Sequence, residues 1–318
     1  MAIVTNTFQT YNAKGIREEL SNVIANISPE ETPFQSNVGS ESVSNAFFEW
    51  QTDSLAATAT TAVISGDDVA SFDSTAATTR LGNYTHIRRR TMIVEDRLEF
   101  VDKAGRDSEI AYQLAKRGKE LKRDIEAVLL DNNARVAGNS TTAPETAGLP
   151  AWLVTNTNFA GDGTDPSPAD GTDARGDGTQ RAFTEAMLKS VMQSAWTAGG
   201  NPSILMVGPY NKTVASGFAG IAETRVAGSD APTTIIGAAD IYVSDFGNIT
   251  FVPNRFQRER DAFLLDPEYA SVCYLRPIQQ IELAKTGDAE KRMVLAEFGL
   301  KVANEAAHGI IADLTTSA

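Results

Sequence analysis

The chain has 318 residues, of which 42% are hydrophobic and 22% charged, and its formal net charge is −13. This length suffices for one large or two medium domains with cores of their own, and no apolar run approaches the roughly 18 residues of a membrane-spanning helix. The acidic balance argues against general nucleic-acid binding, which depends on clusters of lysine and arginine. Because the first residues also lack the pattern of a secretory signal, we expect a soluble protein that folds in a cytoplasm.

Residues 1–45 are predicted to form an N-terminal arm. They mix short apolar pairs with Asn, Ser and Thr, and a short amphipathic helix is predicted over 13–25. Such a segment cannot form a core alone. We therefore expect it to lie on the body of its own chain or on a neighbouring molecule.

Residues 46–100 are predicted to form an extended β-hairpin. Strand-like sequence stands at both ends, in FFEWQ and in LGNYTHIRRRTMIVED. The stretch between them is rich in Thr, Ala and Ser and has few large apolar side chains, so its tip should project from the body as a mobile extension. A long disordered loop is the alternative.

A long amphipathic helix is predicted over 107–137. Asp107 or Ser108 is the candidate N-cap and Gly138 the candidate terminator, which gives roughly 45 Å at ~1.5 Å per residue. Acidic residues interrupt its basic face, so we expect a solvated or subunit-facing side and not a nucleic-acid surface. The predicted apolar stripe consists of Ile110, Leu114, Leu121, Ile125, Val128 and Leu129, and the opposite face of Lys116, Lys119, Lys122, Arg123 and Glu126.

Residues 161–178 are dense in Gly, Asp and Pro. The aspartates suggest a calcium site, but their spacing matches neither an EF-hand loop nor the Gly-rich nonapeptide repeat. An exposed flexible loop is the favoured interpretation.

The rest of the chain is predicted to be a compact α+β unit. An amphipathic helix over 179–197 stops at Gly199, the buried strand ILMV follows, and a short helix opens at Pro209. Short strands around IYVS, ITFVP, AFLL and VCYL then form a sheet-centred subdomain. From Ile278 onward we predict a closing antiparallel hairpin with a tight turn at 286–288, and a last strand-like piece, GIIADL.

The sequence contains no motif for catalysis, for a cofactor or for a metal. Nucleophile-elbow and phosphate-loop patterns are absent, and neither His86 nor His308 stands in a paired-ligand spacing. His86 is expected on the surface of a strand, and the spacing of His308 from Glu305 is a common chance arrangement. Cys273, the single cysteine, is expected to be a buried inert thiol. We predict no catalytic, cofactor-binding or metal-binding residues and no enzymatic activity.

Three stretches, taken together, resemble a known family. They are residues 103–143 with the following AGLPAWL, the strand run NYTHIRRRTMIVED, and residues 283–316. They resemble the DUF5309 or SU10-type major capsid proteins of tailed phages, which share the HK97 fold. The resemblance covers the hairpin, the long helix and the C-terminal hairpin, and the region between them agrees in the order of its elements.

The resemblance implies an α+β, HK97-like capsid fold with peripheral and axial domains. The loop over 161–178 is a departure with no assigned counterpart. The implied segments are an N-terminal arm (1–45), an extended β-hairpin loop (46–100), the spine helix of the peripheral domain (101–144), a mainly axial domain (145–276) and a C-terminal return to the peripheral domain (277–318).

The function implied by the resemblance is self-assembly into the hexamers and pentamers of an icosahedral phage head around double-stranded DNA. The implied partners are copies of the chain itself, a separate scaffolding protein, a portal and, as an optional addition, decoration proteins. Packaged DNA would lie nearby without sequence-specific contact, and no membrane is involved. Assembly would take place in the host cytoplasm, and the final location would be the virion capsid.

Two other functions are compatible with the same residues. A tail-tube or surface-layer subunit also has sheets and projecting loops, and it would form open tubes or flat lattices. A hydrolase with a site scattered through the α+β body is the third hypothesis, and it requires a concave pocket with converging polar groups.

Overall fold

The structure is a computed structural model that describes residues 31–68, 72–103, 105–218 and 240–317. The helix predicted over 13–25 lies outside these residues. The described chain is an α+β fold with a four-stranded sheet, a six-stranded sheet and a separate two-stranded ribbon.

The described chain contains five α-helices and twelve strands. The helices are α1 (Pro33–Asn37), α2 (Asp96–Phe100), α3 (Glu109–Leu130), α4 (Glu185–Thr197) and α5 (Pro209–Ala215). The strands are β1 (Gly39–Ser42), β2 (Phe47–Thr52), β3 (Thr79–Tyr84), β4 (His86–Glu95), β5 (Thr157–Asn158), β6 (Ile204–Val207), β7 (Ile241–Ser244), β8 (Gly247–Pro253), β9 (Ala262–Leu265), β10 (Ala270–Leu283), β11 (Ala289–Val302) and β12 (Gly309–Ile311).

The four-stranded sheet has the order β1-β10-β11-β4, and α3 packs against β4 and β11. The predicted C-terminal hairpin is confirmed as β10 and β11, and Gly287 in its turn has φ +79°, which glycine adopts without strain. The sequence VCYL was predicted to be a separate short strand, but it is part of β10. Irregular pairing on both sides of Arg276 lets β10 pass Pro277, which has no N–H to donate, without ending.

The six-stranded sheet has the order β5-β12-β9-β6-β8-β7. Both faces of its central strand β6 are buried, since Ile204 and Met206 lie in the core beneath α3 while Leu205 and Val207 lie in the core beside α4. This burial explains the uninterrupted apolar run ILMV, which was predicted as a buried strand and is confirmed. The last strand, β12, pairs with β5 and β9 of this sheet and does not extend the C-terminal hairpin.

The long helix α3 is shorter than predicted. It begins as expected, with Ser108 as N-cap, but it ends at Leu130, and its 22 residues span roughly 33 Å at ~1.5 Å per residue. The helix ends here because the residue that follows Asp131 forms hydrogen bonds with a distant part of the chain. The side chain of Asn132 exchanges two hydrogen bonds of 2.7 and 2.9 Å with the backbone of Arg175.

The prediction that Glu126 lies on the solvated face of this helix is wrong. Its side chain is fully buried, and its carboxylate accepts hydrogen bonds from α1 and from Asn254, which follows β8. The apolar stripe was placed correctly, and Leu121, Ile125 and Leu129 are fully buried. The error arises because a helical wheel cannot show that a distant segment covers a second flank of the helix.

The prediction of an exposed loop over 161–178 is wrong for several of its residues, since Gly163, Pro166, Gly171 and Arg175 are buried. Arg175 is only 3% exposed; it pairs with Asp165 at 2.6 Å, and its guanidinium lies 5.8 Å from the ring centre of Phe159. The carboxylate of Asp313 accepts N–H groups from both ends of the loop, from Ala160 at 3.1 Å and from Gly178 at 2.8 Å. These partners are distant in sequence, so composition alone did not indicate them.

The helix α4 ends before Gly199 as predicted, but it begins at Glu185 and not at 179. The residues before it are extended because Arg181 bonds to the C-terminal segment through its backbone. Its N–H donates to the carbonyl of Asp313 at 2.7 Å, and its carbonyl accepts from Thr315 at 2.9 Å.

Candidate assembly surfaces

The segment between β2 and β3 projects from the body. Its described residues, 53–68 and 72–78, contain no helix or strand and are exposed throughout. Leu55, Ile64 and Phe72 are 99%, 82% and 89% exposed. Large apolar side chains left this exposed are candidates for contact with another molecule.

The base of this segment, in contrast, is fixed in the core. Phe48 and Trp50 of β2 are buried, and the Trp50 ring lies 5.3 Å from that of Trp152. Gly299 of β11 leaves the space that Phe48 fills, since a Cβ there would lie 2.6 Å from its ring. The base therefore fixes the place on the body from which the segment projects.

A buried asparagine, Asn83 in β3, joins this base to the body through both ends of its amide. Its Nδ2 donates to Thr146 Oγ1 at 2.9 Å and to the Leu300 carbonyl at 2.7 Å. Its Oδ1 accepts from the Ala147 N–H at 2.9 Å and from the neighbouring Tyr84 N–H at 2.9 Å. A buried amide with all these partners specifies a single position for β3.

A second exposed apolar surface lies at the far end of β4, beside α2. Ile93 is 62% and Phe100 89% exposed, and Val101 is also exposed. A groove of about 680 Å³ opens there, lined among others by Leu98 and by Leu283 of the hairpin. No assembly residue was predicted here from the sequence, because isolated apolar residues in a strand resemble core positions.

A third exposed apolar surface lies on β7, the edge strand of the six-stranded sheet. Ile241 and Val243 are exposed, as is Trp196 of α4, whose ring packs against Phe246 at 5.5 Å. An edge strand has unpaired backbone groups that another chain can bind.

Two of the three arginines of β4 pair with the helix α3. Arg90 forms a bidentate pair with Asp124 of α3, at 2.7 and 2.6 Å, and Arg88 reaches the same carboxylate at 3.2 Å. These contacts attach the four-stranded sheet to α3, and the negative charge of Asp124 partly neutralises the three consecutive arginines of β4.

The candidate reactive residues do not form a site. Cys273 is fully buried, as predicted, and burial raises the pKa of its thiol to about 11. His86 is half-buried and not simply at the surface, because its ring packs against Phe298 at 5.5 Å, and burial lowers its pKa.

His308 and Glu305 do not pair with each other. The fully buried His308 accepts the Asp266 N–H at Nδ1, at 3.2 Å, and burial lowers its pKa to about 4. The Glu305 carboxylate accepts the backbone N–H groups of Val154 and Thr155 at 3.2 and 3.1 Å. Both residues therefore have structural roles.

Two further classes of site were tested on the described residues. Within residues 31–68, 72–103, 105–218 and 240–317, no three His, Cys, Asp or Glu side chains come together as a metal site. No helix in the same part of the chain has the length and apolarity to cross a membrane.

Comparison with solved structures defines the class of protein. The capsid asymmetric unit of Cyanophage A-1(L) has a TM-score of 0.69 at 12% identity and covers 96% of this chain and 98% of that chain. A structure from Gordonia phage Cozz has a TM-score of 0.62 at 14% identity, with coverage of 98% and 96%. The fold is therefore the HK97-like fold of phage capsid proteins.

Comparison of sequences defines the family. The profile of the SU10 major capsid protein family matches residues 3–315. The major capsid protein of Escherichia phage Phieco32 is 29% identical in an alignment of 344 positions, which covers 96% of this chain and 96% of that protein. This chain belongs to the SU10 major capsid protein family, and it is a structural protein of the phage capsid and not an enzyme.

Substitution of Asn83 tests the attachment of the loop base. Asn83→Ala leaves the Ala147 N–H and the Leu300 carbonyl without their buried partner, so we expect the free energy of unfolding to fall by roughly 2–4 kcal/mol. Chemical denaturation measures it. Gln280→Ala on the exposed part of β10 is the control, with an expected change below about 0.5 kcal/mol. A loss below about 1 kcal/mol for Asn83→Ala would contradict the assignment.

Titration of His308 predicts a pH dependence of stability. Its folded pKa of about 4 lies below the unfolded value of 6.5, so its contribution is present above pH 6.5 and is lost as the pH falls towards 4. His308→Asn keeps an acceptor near Nδ1 and cannot titrate. Between about pH 7 and pH 4.5 we expect the variant to lose on the order of 2–3 kcal/mol less than the native chain in urea denaturation.

Asp261 provides the control of opposite sign. Burial raises the pKa of its carboxyl from 3.8 to about 6, so protonation favours the folded state and this contribution is lost as the pH rises through 6. The stability of the Asp261→Asn variant should therefore rise more steeply with pH in this range than that of the native chain. Identical pH profiles for the two variants would contradict both assignments.

Proposed function

We propose that this capsid protein assembles into hexamers and pentamers, which close into an icosahedral head around double-stranded DNA. The observation that supports this most directly is the projecting segment 53–78, in which the described large apolar side chains, Leu55, Val63, Ile64 and Phe72, are at least 77% exposed. The exposed groove beside Ile93 and the edge strand β7 add two further surfaces. A ring of identical subunits needs different, mutually complementary surfaces on each copy, and these features meet that need.

The energetics favour assembly through many weak contacts. Burial of apolar surface contributes roughly 25 cal/mol per Å², so a few side chains such as Leu55 and Phe72 supply only a few kcal/mol per contact. Each subunit in a closed shell makes several contacts at once, and their effect multiplies. A subunit can therefore remain monomeric when dilute and form a stable shell above a threshold concentration.

We propose the following roles for the segments of the chain. Residues 1–45 are the arm, 46–100 the extended loop, 101–144 the spine-helix segment, 145–276 mainly the axial domain, and 277–318 the return to the peripheral domain. The pairing of β2 with β3 and the packing of α3 on β11 support the second and third assignments. Two strands connect different segments. Strand β4, from the extended-loop segment, pairs with β11 of the C-terminal segment, and β12 of the C-terminal segment lies in the six-stranded sheet.

We propose that the remaining partners are a separate scaffolding protein, a portal and optional decoration proteins. Assembly would take place in the host cytoplasm. The net charge of −13 supports a wall that encloses DNA without sequence-specific contacts, because an acidic surface repels phosphate weakly and releases no counterions to bind it.

Removal of the loop tests this function. Deletion of residues 55–78 should leave the body folded, because the described residues of this segment are exposed and the base strands remain. We expect unchanged thermal unfolding and a loss of closed shells and ring-shaped capsomers in electron micrographs. Shells of normal yield would contradict the role of the loop, and open tubes or flat sheets from the native chain would favour a tail-tube or surface-layer subunit.

A triple substitution separates the apolar side chains from the length of the loop. Leu55→Ser, Ile64→Ser and Phe72→Ser together should lower the shell yield at least about tenfold, since each contact recurs in every subunit. The control is Thr58→Ser, Thr60→Ser and Thr61→Ser in the same exposed segment, which should assemble like the native chain. Equal yields for both triples would show that the apolar side chains make no assembly contact.

A further inference from the structure

The start of α1, within the arm, is bound to the body by one buried carboxylate. Glu126 of α3 is fully buried and lies 92 residues from Phe34 in sequence. Its Oε1 accepts the N–H of Phe34 at 2.6 Å and Nδ2 of Asn254 at 2.8 Å. Its Oε2 accepts the backbone N–H of Gln35 at 3.1 Å and Nε2 of the same residue at 3.0 Å.

This arrangement replaces a local helix cap. Phe34 and Gln35 are in the first turn of α1, whose N-cap residue Thr32 makes no side-chain hydrogen bond to that turn. The N–H groups of a first helical turn need acceptors, and a carboxylate is well suited because it also interacts favourably with the helix dipole. The acceptor here comes from α3, so the start of α1 forms only where Glu126 is in reach.

The carboxylate also joins three parts of the molecule. Asn254 follows β8 of the six-stranded sheet, α1 precedes β1 of the four-stranded sheet, and Glu126 belongs to α3. Burial raises the pKa of Glu126, while the hydrogen bonds from Phe34, Gln35 and Asn254 oppose this rise. A hydrophobic residue at 126 would fill the space equally well, so packing alone does not explain a carboxylate at this position.

We propose that Glu126 is a positioning residue for assembly, which holds the start of α1, within the arm (1–45), in a fixed position on the body of the subunit. The inference rests on the proposed shell function, because the arm matters only if it contacts other copies. This role requires a side chain at position 126 whose two oxygens both accept hydrogen bonds. A glutamine at this position has the same size, but its NH₂ group would replace one acceptor oxygen and face N–H groups that themselves donate.

The test is Glu126→Gln in the full chain, with hydrogen exchange of the unassembled subunit as the first readout. We expect exchange of the Phe34 and Gln35 amides to accelerate at least about tenfold, while exchange in α4 remains unchanged. Chymotrypsin should also cut after Phe34, which is fully buried in the native chain. A role limited to general stability would accelerate exchange everywhere, and unchanged exchange at Phe34 would overturn the proposal.

The second readout is the yield of shells in electron micrographs. We expect Glu126→Gln to lower it several-fold at concentrations where the native chain assembles. Glu120→Gln is the matched control, since Glu120 lies on the same helix and pairs with Arg117 within that helix, away from α1. Accelerated exchange with a normal shell yield would overturn the role of the attachment in assembly.

A second substitution covers the case in which Glu126→Gln does not fold. Gln35→Ala removes the Nε2 donor at the partly exposed edge of the site, with a smaller acceleration expected at the same two amides. Failure of the native chain to form shells would contradict the proposed function, whereas the exchange experiment would still decide whether Glu126 holds the arm. The two hypotheses therefore fail separately.

Discussion

The packing of α3 against the four-stranded sheet is the interaction on which the rest of the structure depends. Leu121, Ile125 and Leu129 are fully buried in a core that also includes Trp50 from the loop base and Met206 from the six-stranded sheet. Because interiors are close-packed, elements that share one core hold fixed positions relative to one another. The projecting loop, the attachment of the arm and the six-stranded sheet are thus all positioned from one helix.

This arrangement separates folding from assembly. The body completes its own core and satisfies buried polar groups such as Asn83 and Glu126 internally. The apolar side chains left outside are concentrated in the segment 53–78, beside the groove at β4 and on β7. A subunit with this division can fold before it meets its neighbours, and its association can be altered by substitutions that do not affect its core.

Periodicity in the sequence predicted the apolar face of α3, the buried strand β6 and the C-terminal hairpin, because each depends on spacing within one element. It could not predict the end of α3 or the burial of Glu126 and Arg175. Those outcomes depend on partners far away in sequence, such as Asn132 with Arg175 and Phe34 with Glu126. Specific sequence stretches indicated the family, and composition predicted the projecting tip of the loop. The exposed apolar surfaces at β4 and β7 were not predicted, since an exposed and a buried isoleucine are identical in sequence.

The central claim is that the apolar side chains of the projecting loop become buried between copies of the subunit. Electron cryomicroscopy of assembled particles, at a resolution that shows side chains, tests it most directly. The account predicts density in which Leu55, Ile64 and Phe72, all exposed in the single subunit, pack against a neighbouring copy. A shell in which these three side chains remain in contact with solvent would contradict the account.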